Sequence, residues 1–345
     1  MKKSGVLLLA ICGLVFSVVQ ASAELIYIVV GSTVLTSFDS ATPLAQTFVP
    51  ITGLQVGEAV VGLDLRPATG QLYALGSTSR LYTINPVTGV ATQVGSAGAF
   101  TLSGTSFGFD FNPTVDRIRV VSNTGQNMRL NPNDGTLTAT DTNLAYAAGD
   151  PNFGATPSDA GAAYVNNTAG APSTTLFGID SNLGVLIRQG SVDGSPLSPN
   201  TGQLFTIGPL GVAAGLPNFD VSGVTGTAYA TLCAGLACSF YTINLSTGAA
   251  TLVASLSMQT PITGMTVGGQ GPTPTPTATA TPTPTSTATA TPTSTATASP
   301  SPTATLGPGT PPANVPTLSG GLLAILALAI GAAGLFVLRG SSTTG

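Results

Sequence analysis

The stretch Val-Gly-Leu-Asp-Leu-Arg-Pro at residues 61–67 reappears 46 residues later as Phe-Gly-Phe-Asp-Phe-Asn-Pro at residues 107–113. At the same offset, Ile-Asn-Pro-Val-Thr-Gly at 84–89 matches Leu-Asn-Pro-Asn-Asp-Gly at 130–135. Repeats of this length are typical of solenoids and propellers, in which each repeat forms one supersecondary unit. The repeat therefore limits the fold to a small number of classes.

Each repeat unit contains four short segments in which apolar and small residues alternate, and turn sequences separate these segments. Asn85-Pro86 suits a type I turn with proline at its second position, and Gly89 supplies the positive φ at the end of the turn. No stretch of this region has a convincing period of 3.6 residues. Four strands in about 40–50 residues are the pattern of a propeller blade.

The two ends of the repeat region carry complementary half-units. The copy within Leu25–Ser40 begins with the second strand of the unit, whereas Ile262–Val267 matches only the first strand. A further copy lies within 218–248, and a weaker one, stretched by inserted loops, lies within 161–208. We therefore predict an all-β, five-bladed β-propeller closed by pairing of the C-terminal strand with the N-terminal blade. A β-sandwich or an open β-solenoid is the alternative, although a solenoid does not need complementary half-units.

The first 23 residues have the features of a secretory signal peptide. Lys2 and Lys3 precede an apolar core, and the small-residue sequence Ala-Ser-Ala ends at Ala23. This pattern predicts cleavage after Ala23 and export of the mature chain.

Three further segments follow. Residues 24–271 form the predicted propeller domain, residues 272–316 are almost entirely Pro, Thr, Ser and Ala, and residues 317–345 include the apolar stretch Leu318–Leu338, which Arg339 follows. The Pro-rich segment lacks large apolar side chains and predicts an extended stalk with candidate O-glycan acceptors. At about 1.5 Å per residue, the apolar stretch is long enough for one transmembrane helix, and we expect the membrane to be a partner there.

Charged residues are scarce: the chain has 9 Lys+Arg, 13 Asp+Glu and no His. Removal of the signal peptide leaves no lysine, and residues 24–271 hold six arginines against all thirteen acids. This acidic balance disfavours nucleic acid as a partner. The absence of His excludes His-dependent catalysis and His-ligated metals.

Cys233 and Cys238 are the two cysteines outside the signal peptide. An even pair in an exported chain predicts a disulfide with a structural role, although cysteines five positions apart would also be compatible with two free thiols.

Asp64, Asp110 and Asp220 occupy the same place in the first strand of three repeat units. In a propeller this strand lines the central channel, so the three carboxylates would converge and offer oxygen ligands to a hard cation such as Ca²⁺. Tyr164 and Thr266 are the residues expected at the fourth and fifth positions. The alternative is that each aspartate only accepts hydrogen bonds from nearby backbone amides.

Arg117, Arg119 and Arg129 cluster in one repeat unit, and the last two are expected opposite each other on neighbouring strands. Such a pair would bind an anionic ligand, or would form a local ion-pair network. No cofactor other than Ca²⁺ is suggested by the sequence.

The residues Val315, Pro316, Thr317 and Leu318, followed by an apolar stretch and Arg339, resemble the IPTL-type sorting signal. That signal is related to those read by exosortase-family enzymes in Gram-negative bacteria, so the resemblance implies an envelope sorting or processing protease as a partner. The family ends in several arginines where this chain has one, and a plain membrane anchor is the alternative.

The stretches 62–95 and 108–135 resemble a bacterial secreted domain of unknown function with propeller-like repeats. This resemblance implies a propeller-like β fold and brings no established activity.

These patterns together predict an exported protein of the cell envelope or cell surface, anchored at least transiently through its C-terminal segment. We expect a binding, adhesive or envelope-structural role rather than catalysis. The alternative is a carboxylate- or Ca-dependent extracellular hydrolase that acts on glycans or similar substrates, since acid–base catalysis needs only suitably spaced Asp or Glu.

Overall fold

Short β-strands dominate the structure, and several of them are buried along nearly their whole length. The computed structural model describes residues 23–256, 258 and 260–270. The predicted signal peptide up to Ser22, the predicted stalk, and the predicted membrane and sorting segment lie outside these described residues.

Two units divide the chain, Met1–Thr277 and Ala278–Gly345, and all described residues belong to the first unit. Within the residues that the structure describes, no helix is long and apolar enough to cross a membrane.

Strands account for nearly all of the regular structure. In chain order they are β1 (Glu24–Val30), β2 (Val34–Asp39), β3 (Thr42–Pro50), β4 (Val60–Leu65), β5 (Leu72–Gly76), β6 (Arg80–Ile84), β7 (Ala91–Val94), β8 (Phe107–Asn112), β9 (Arg117–Ser122), β10 (Asn127–Leu130), β11 (Leu137–Thr140), β12 (Ala145–Tyr146), β13 (Asp159–Tyr164), β14 (Leu176–Asp180), β15 (Val185–Gln189), β16 (Gln203–Pro209), β17 (Asn218–Val221), β18 (Ala228–Ala234), β19 (Ala237–Ile243), β20 (Ala250–Leu256) and β21 (Ile262–Gln270). Two short 3₁₀ helices cover Val192–Gly194 and Pro199–Thr201.

The strands form five sheets, one for each predicted blade. Their orders are β21-β1-β2-β3, β4-β5-β6-β7, β8-β9-β10-β11, β13-β14-β15-β16-β12 and β17-β18-β19-β20. The five-bladed, all-β architecture is therefore confirmed, and the sandwich and solenoid alternatives are wrong. The fourth sheet has one strand more than expected, because Ala145–Tyr146 in an inserted loop pairs in parallel with β16.

One strand of each sheet lines a central channel. The inner strands β4, β8, β13, β17 and β21 contact one another in succession, and β21 also contacts β4. Glycines permit this close approach: a Cβ atom on Gly62 would lie 2.7 Å from the Cβ of Phe109, and one on Gly108 would lie 2.7 Å from the backbone nitrogen of Ala162. The glycine shared by the two clearest repeats is thus explained by packing of neighbouring inner strands.

The first sheet combines strands from both ends of the described domain. β21 pairs antiparallel with β1, and Met265 and Thr266 lie opposite Ile28 and Tyr27. The other edge of β1 pairs with β2. The inner strand of this sheet therefore comes from the C-terminal side of the domain.

Apolar and aromatic side chains fill the spaces between adjacent sheets. Ile26 and Phe38 of the first sheet share a buried cluster with Tyr229 and Phe240 of the fifth. The rings of Phe38 and Phe240 meet edge to face with centroids 5.2 Å apart. Burial of such groups is the main force that holds neighbouring blades together.

The predicted disulfide and turns are present. Cys233 and Cys238 are joined, lie opposite each other on β18 and β19, and are buried. The repeated turn glycines have positive φ, with 72° at Gly89, 69° at Gly135 and 83° at Gly248. This backbone region strains other residues, which explains why the turn sequence keeps its glycine.

Candidate metal centre

Three aspartates from three different inner strands meet at the channel. Asp64 lies on β4, Asp110 on β8 and Asp220 on β17, and each is only 1% exposed. One carboxylate oxygen from each residue lies within 4.8 Å of those from the other two. The structure therefore brings together the three residues that the sequence placed at equivalent repeat positions.

Asp64 receives hydrogen bonds from two neighbouring strands as well as its own. Its Oδ1 accepts from the backbone N–H of Leu65 at 2.7 Å and from Thr266 Oγ1 at 2.8 Å. Its Oδ2 accepts from the backbone N–H of Phe111 on β8 at 2.8 Å. The carboxylate is thereby fixed in orientation across the β4–β8 junction.

Asp220 has a matching arrangement at the β17–β21 junction. Its Oδ1 accepts from the N–H of Val221 at 2.6 Å, and its Oδ2 accepts from the N–H of Val267 at 2.7 Å. Thr266 Oγ1 also lies 2.9 Å from Asp220 Oδ2. Because one hydroxyl has one proton, Thr266 donates to Asp64 or to Asp220 but not to both.

Asp110 differs from the other two aspartates. Neither of its buried carboxylate oxygens has a hydrogen-bond partner in the described part of the chain. The backbone N–H of Tyr164 points toward it and lowers its pKa somewhat, without reaching hydrogen-bond geometry. Buried polar atoms are almost always paired, so this carboxylate needs a proton or an external partner.

Loss of hydration on burial is the main cause that raises the pKa of each of the three carboxyls. Repulsion from Asp220 raises the pKa of Asp64 further, and both of them raise that of Asp110. The pKa of Asp220 rises to about 6. Among the described residues no arginine forms an ion pair with any of the three.

The two remaining inner strands complete the ring of positions. Thr266 of β21 lies at the expected fifth position. The expectation of Tyr164 at the fourth position is wrong, because Ala163 is the residue that faces the channel there. Ala163 lies two residues after Gly161 and opposite Phe177 on the neighbouring strand. Asp64 has the equivalent place in its own blade, two residues after Gly62 and opposite Tyr73. Inserted loops weaken the repeat here and hide the one-residue offset. The alanine contributes no ligand.

The inner strands also line a small opening of about 10 Å³ at Gly62, Gly108, Gly161, Phe219 and Gly264, and none of the three aspartates lines it. This volume corresponds to about one water molecule. The three carboxylates are themselves almost completely buried, so an organic substrate has no access to them.

The arrangement of the three arginines agrees with the sequence-based expectation for Arg119 and Arg129 but not for Arg117. Arg119 and Arg129 do lie opposite each other on β9 and β10, and both contact Asp141 at 2.6 Å and 2.8 Å. Arg117 is apart from them and donates to the backbone oxygen of Asp116 at 2.9 Å. Anion binding by these residues stays a prediction.

Arg119 is almost completely buried, at 2% exposure. All three of its guanidinium nitrogens donate to protein oxygens: those of Asn127 (2.7 Å), Asp141 (2.6 Å), Asn200 (2.6 Å) and Tyr164 (3.3 Å). The side chain connects the third blade to the loop that carries Asn200, and its hydrogen bonds are made within the protein.

Glu24, Asp159 and Asp180 are further buried acidic residues, and their burial was not anticipated from the sequence. Asp159 lies opposite Asp180 on β13 and β14, and both are buried. Glu24 at the start of β1 is also buried, at 0% exposure. The turn that begins at Asp180 in the fourth blade is a copy of the turn that begins at Asn85 in the second blade. This match was the one feature of the sequence that could have pointed to a structural role for Asp180.

Comparison with other proteins supports the fold assignment. A family model described as a domain of unknown function, DUF4394, matches residues 34–266. No curated protein matches the chain.

Solved structures resemble the chain only distantly. A chain of a nidogen/laminin complex has 12% identity and a TM-score of 0.41, with 71% of this chain and 98% of that chain covered. A structural genomics protein of unknown function from Bacteroides thetaiotaomicron has 13% identity and a TM-score of 0.43, with 73% and 66% covered. TolB from Acinetobacter baumannii has 11% identity and a TM-score of 0.39, with 68% and 54% covered.

Similarities of this size support no inference about substrate or partner. The family match supports a stronger conclusion, because it spans more than half of the chain. The chain therefore belongs to the DUF4394 family, a domain of unknown function.

Proposed function

We propose that this protein is an exported, envelope-tethered β-propeller with a non-catalytic binding or structural role, and that a hard divalent cation at Asp64, Asp110 and Asp220 stabilises its ring. The observation that carries the cation proposal is Asp110, whose two buried oxygens have no partner in the described structure. A cation supplies the missing partner and also relieves the repulsion among three buried carboxylates.

The ligand chemistry favours Ca²⁺. The side-chain groups that face the centre are the three carboxylates and the hydroxyl of Thr266, so all donors are oxygens. Calcium takes six to eight oxygen ligands in flexible geometry, and nitrogen or sulfur ligands would favour zinc or other transition metals.

A cation here would act on the ring as a whole. Asp64 is bonded to β8 and β21, and Asp220 is bonded to β21. Three of the five blades contribute a carboxylate, and the strand paired with β1 contributes Thr266. We propose that the cation reinforces closure of the ring through β21.

A hydrolase has less support than a binding role. The two carboxyls of a glycoside hydrolase flank the scissile bond and lie about 5–10 Å apart, with space for a sugar between them. The channel aspartates are each only 1% exposed, so a sugar has no access to the space between them. The envelope role rests on the predicted signal peptide, stalk and C-terminal apolar segment.

The cation proposal is tested on the exported chain, purified and treated with a chelator. We expect Ca²⁺ to raise the midpoint of thermal unfolding, and a concentration of about 100 times the Kd would add about 2.7 kcal/mol. Asp110→Asn should abolish this gain while leaving the chelated protein at least as stable as wild type, because a neutral amide removes one buried carboxyl. Asp134→Asn, on an exposed turn, is the matched control and should keep the full Ca²⁺ response.

An equal Ca²⁺ response in Asp110→Asn and wild type would contradict the site. Cell fractionation and the intact mass of the purified chain test the envelope role separately. A membrane-associated chain that retains Arg339 supports an anchor, a shortened chain supports processing, and a cytoplasmic location would contradict export.

A further inference from the structure

Glu24 has a buried carboxylate with no cationic partner in the described structure. Its residue exposure is 0%, and none of the ion pairs among the described residues includes it. Its oxygens accept hydrogen bonds from the hydroxyls of Ser222 and Thr225, the latter at 3.0 Å. A buried carboxylate is expensive unless an opposite charge balances it, and hydroxyl groups supply none.

The backbone nitrogen of the same residue lies within this polar group. It donates to Ser40 Oγ at 3.0 Å, and the N–H of Ser40 donates back to the carbonyl oxygen of Glu24 at 2.8 Å. Tyr229 is adjacent, and its pKa is raised mainly by burial and in part by the negative charge of Glu24. An amide N–H at this place is neutral, whereas an ammonium would carry the missing positive charge.

The predicted cleavage site falls at this bond. Ala23 ends the Ala-Ser-Ala sequence, and Glu24 is the next residue and the first residue of β1. Cleavage elsewhere in the leader would leave a peptide bond at Glu24 and place the charge at a distance.

We propose that signal peptidase cleavage between Ala23 and Glu24 creates a buried α-ammonium group that is the counter-ion of the Glu24 carboxylate. Water is the co-reactant: its oxygen joins the carbonyl carbon of Ala23 as the new carboxylate, and the nitrogen of Glu24 leaves that carbon and takes up protons to become an ammonium. The group has three N–H donors where the peptide had one. Ser40 Oγ already accepts from this nitrogen and is one acceptor for them.

This charge would stabilise the junction of the first and fifth sheets. Glu24 belongs to β1, whereas Ser222 and Thr225 belong to the turn that follows β17. Repulsion from Glu24 also contributes to the raised pKa of Asp220, after burial. Maturation at Glu24 would therefore complete the charge balance where β1 joins the ring, independently of any cation in the channel.

The absence of lysine after residue 3 provides a direct test, because the α-amine is the only primary amine of the mature chain. The full chain is exported with its own leader, purified in chelator and treated with an amine-acylating ester near pH 7. The comparison chain has Ser-Gly inserted between Ala23 and Glu24, which moves the amine by about 7 Å of extended chain. Intact mass identifies the N-terminus of each chain.

We expect the native α-amine to be acylated at least ten times more slowly than the amine of the inserted chain, and equally fast after unfolding. The insertion should also lower the thermal midpoint by about 2–4 °C, and this drop should disappear when both chains carry Glu24→Gln. Equal acylation rates, equal drops in both backgrounds, or a mature chain that does not begin at Glu24 would overturn the proposal. If Glu24→Gln prevents folding, the acylation rates of the two folded chains still decide.

Discussion

Two buried polar clusters in this propeller balance their charges in different ways. Around Arg119, the buried guanidinium and its neighbour Arg129 both contact Asp141. The amide oxygens of Asn127 on β10 and of Asn200 in an inserted loop complete the hydrogen bonds of Arg119. In the channel, three carboxylates meet without a cationic side chain. The two clusters differ because an inserted loop can place a polar side chain such as Asn200 against Arg119 in its blade.

The inner strands leave less space around the channel than there is around the arginine cluster, and this limits the size of the group that can balance the aspartates. The inner strands approach so closely that a Cβ atom at Gly62 or Gly108 would overlap a neighbour. An arginine does not fit there, and a proton or a small ion is what remains to balance the aspartates. The comparison suggests that the first cluster is complete within the protein and the second is not.

Removal of the buried positive charge of Arg119 should have the largest effect on the stability of the protein. Arg119→Met removes the only donor to Asn200 Oδ1 in the described structure and one of the two donors to Asn127 Oδ1, and it takes a buried positive charge away from Asp141. We therefore expect a loss of about 3 kcal/mol or more in the free energy of unfolding, measured by urea denaturation. Arg117→Met is the matched control, because its side chain makes one hydrogen bond at a half-buried position and should change stability by about 0.5 kcal/mol or less. Similar losses in the two variants would show that burial of Arg119 carries no special weight.

A smaller effect is expected from the one hydroxyl that joins the channel carboxylates. Thr266→Val removes the donor shared by Asp64 and Asp220 while keeping the side-chain shape, and should cost about 1–3 kcal/mol in chelator. Thr36→Val is the control, since the buried hydroxyl of Thr36 has no partner among the described residues and its loss should be neutral or stabilising. Denaturant midpoints of the two variants compare them directly. If both variants lose the same stability, the hydroxyl does not act through the carboxylates.

The smallest effect concerns Asp159, a buried acid outside both clusters. Burial, and secondly repulsion from Asp180, raise its pKa well above the usual value in the folded state. The folded chain therefore holds this proton more tightly than the unfolded chain, and stability should fall as pH rises above the unfolded pKa of about 4, by about 1.4 kcal/mol for each unit of pKa difference.

Asp159→Asn removes this titration and should reduce the fall in stability between about pH 4 and pH 7. Thermal midpoints across that range, measured with saturating Ca²⁺ so that the channel carboxyls stay bound, provide the test. An unchanged pH profile would mean that Asp159 is charged in the folded protein at no cost.

Local sequence was sufficient for the blades. The turn glycines at 89, 135 and 248 all adopt the positive φ that their sequences demand, and each turn connects the third and fourth strands of its sheet. The equivalent positions of Asp64, Asp110 and Asp220 followed from the repeat offset alone. The disulfide followed from an even pair of cysteines that come after a predicted signal peptide.

Sequence reasoning failed where insertions weaken the repeat. The fourth blade contains Ala163 rather than Tyr164 at the channel position and has an added strand from a loop. Arg119 contacts Asn200, which is 81 positions away, and no local pattern encodes that contact. The burial of Glu24 likewise depends on Ser222 and Thr225, which are distant in the sequence.

The sequence by itself determined how many blades the chain forms and which aspartates face the channel, because strand alternation and turn conformation are local properties repeated at a fixed period. Only the tertiary structure decided which polar groups obtain partners. Hydrogen bonding and charge balance depend on distances between strands and loops far apart in the chain, and it is these distances that pair Arg119 and leave Asp110 without a partner in the described structure.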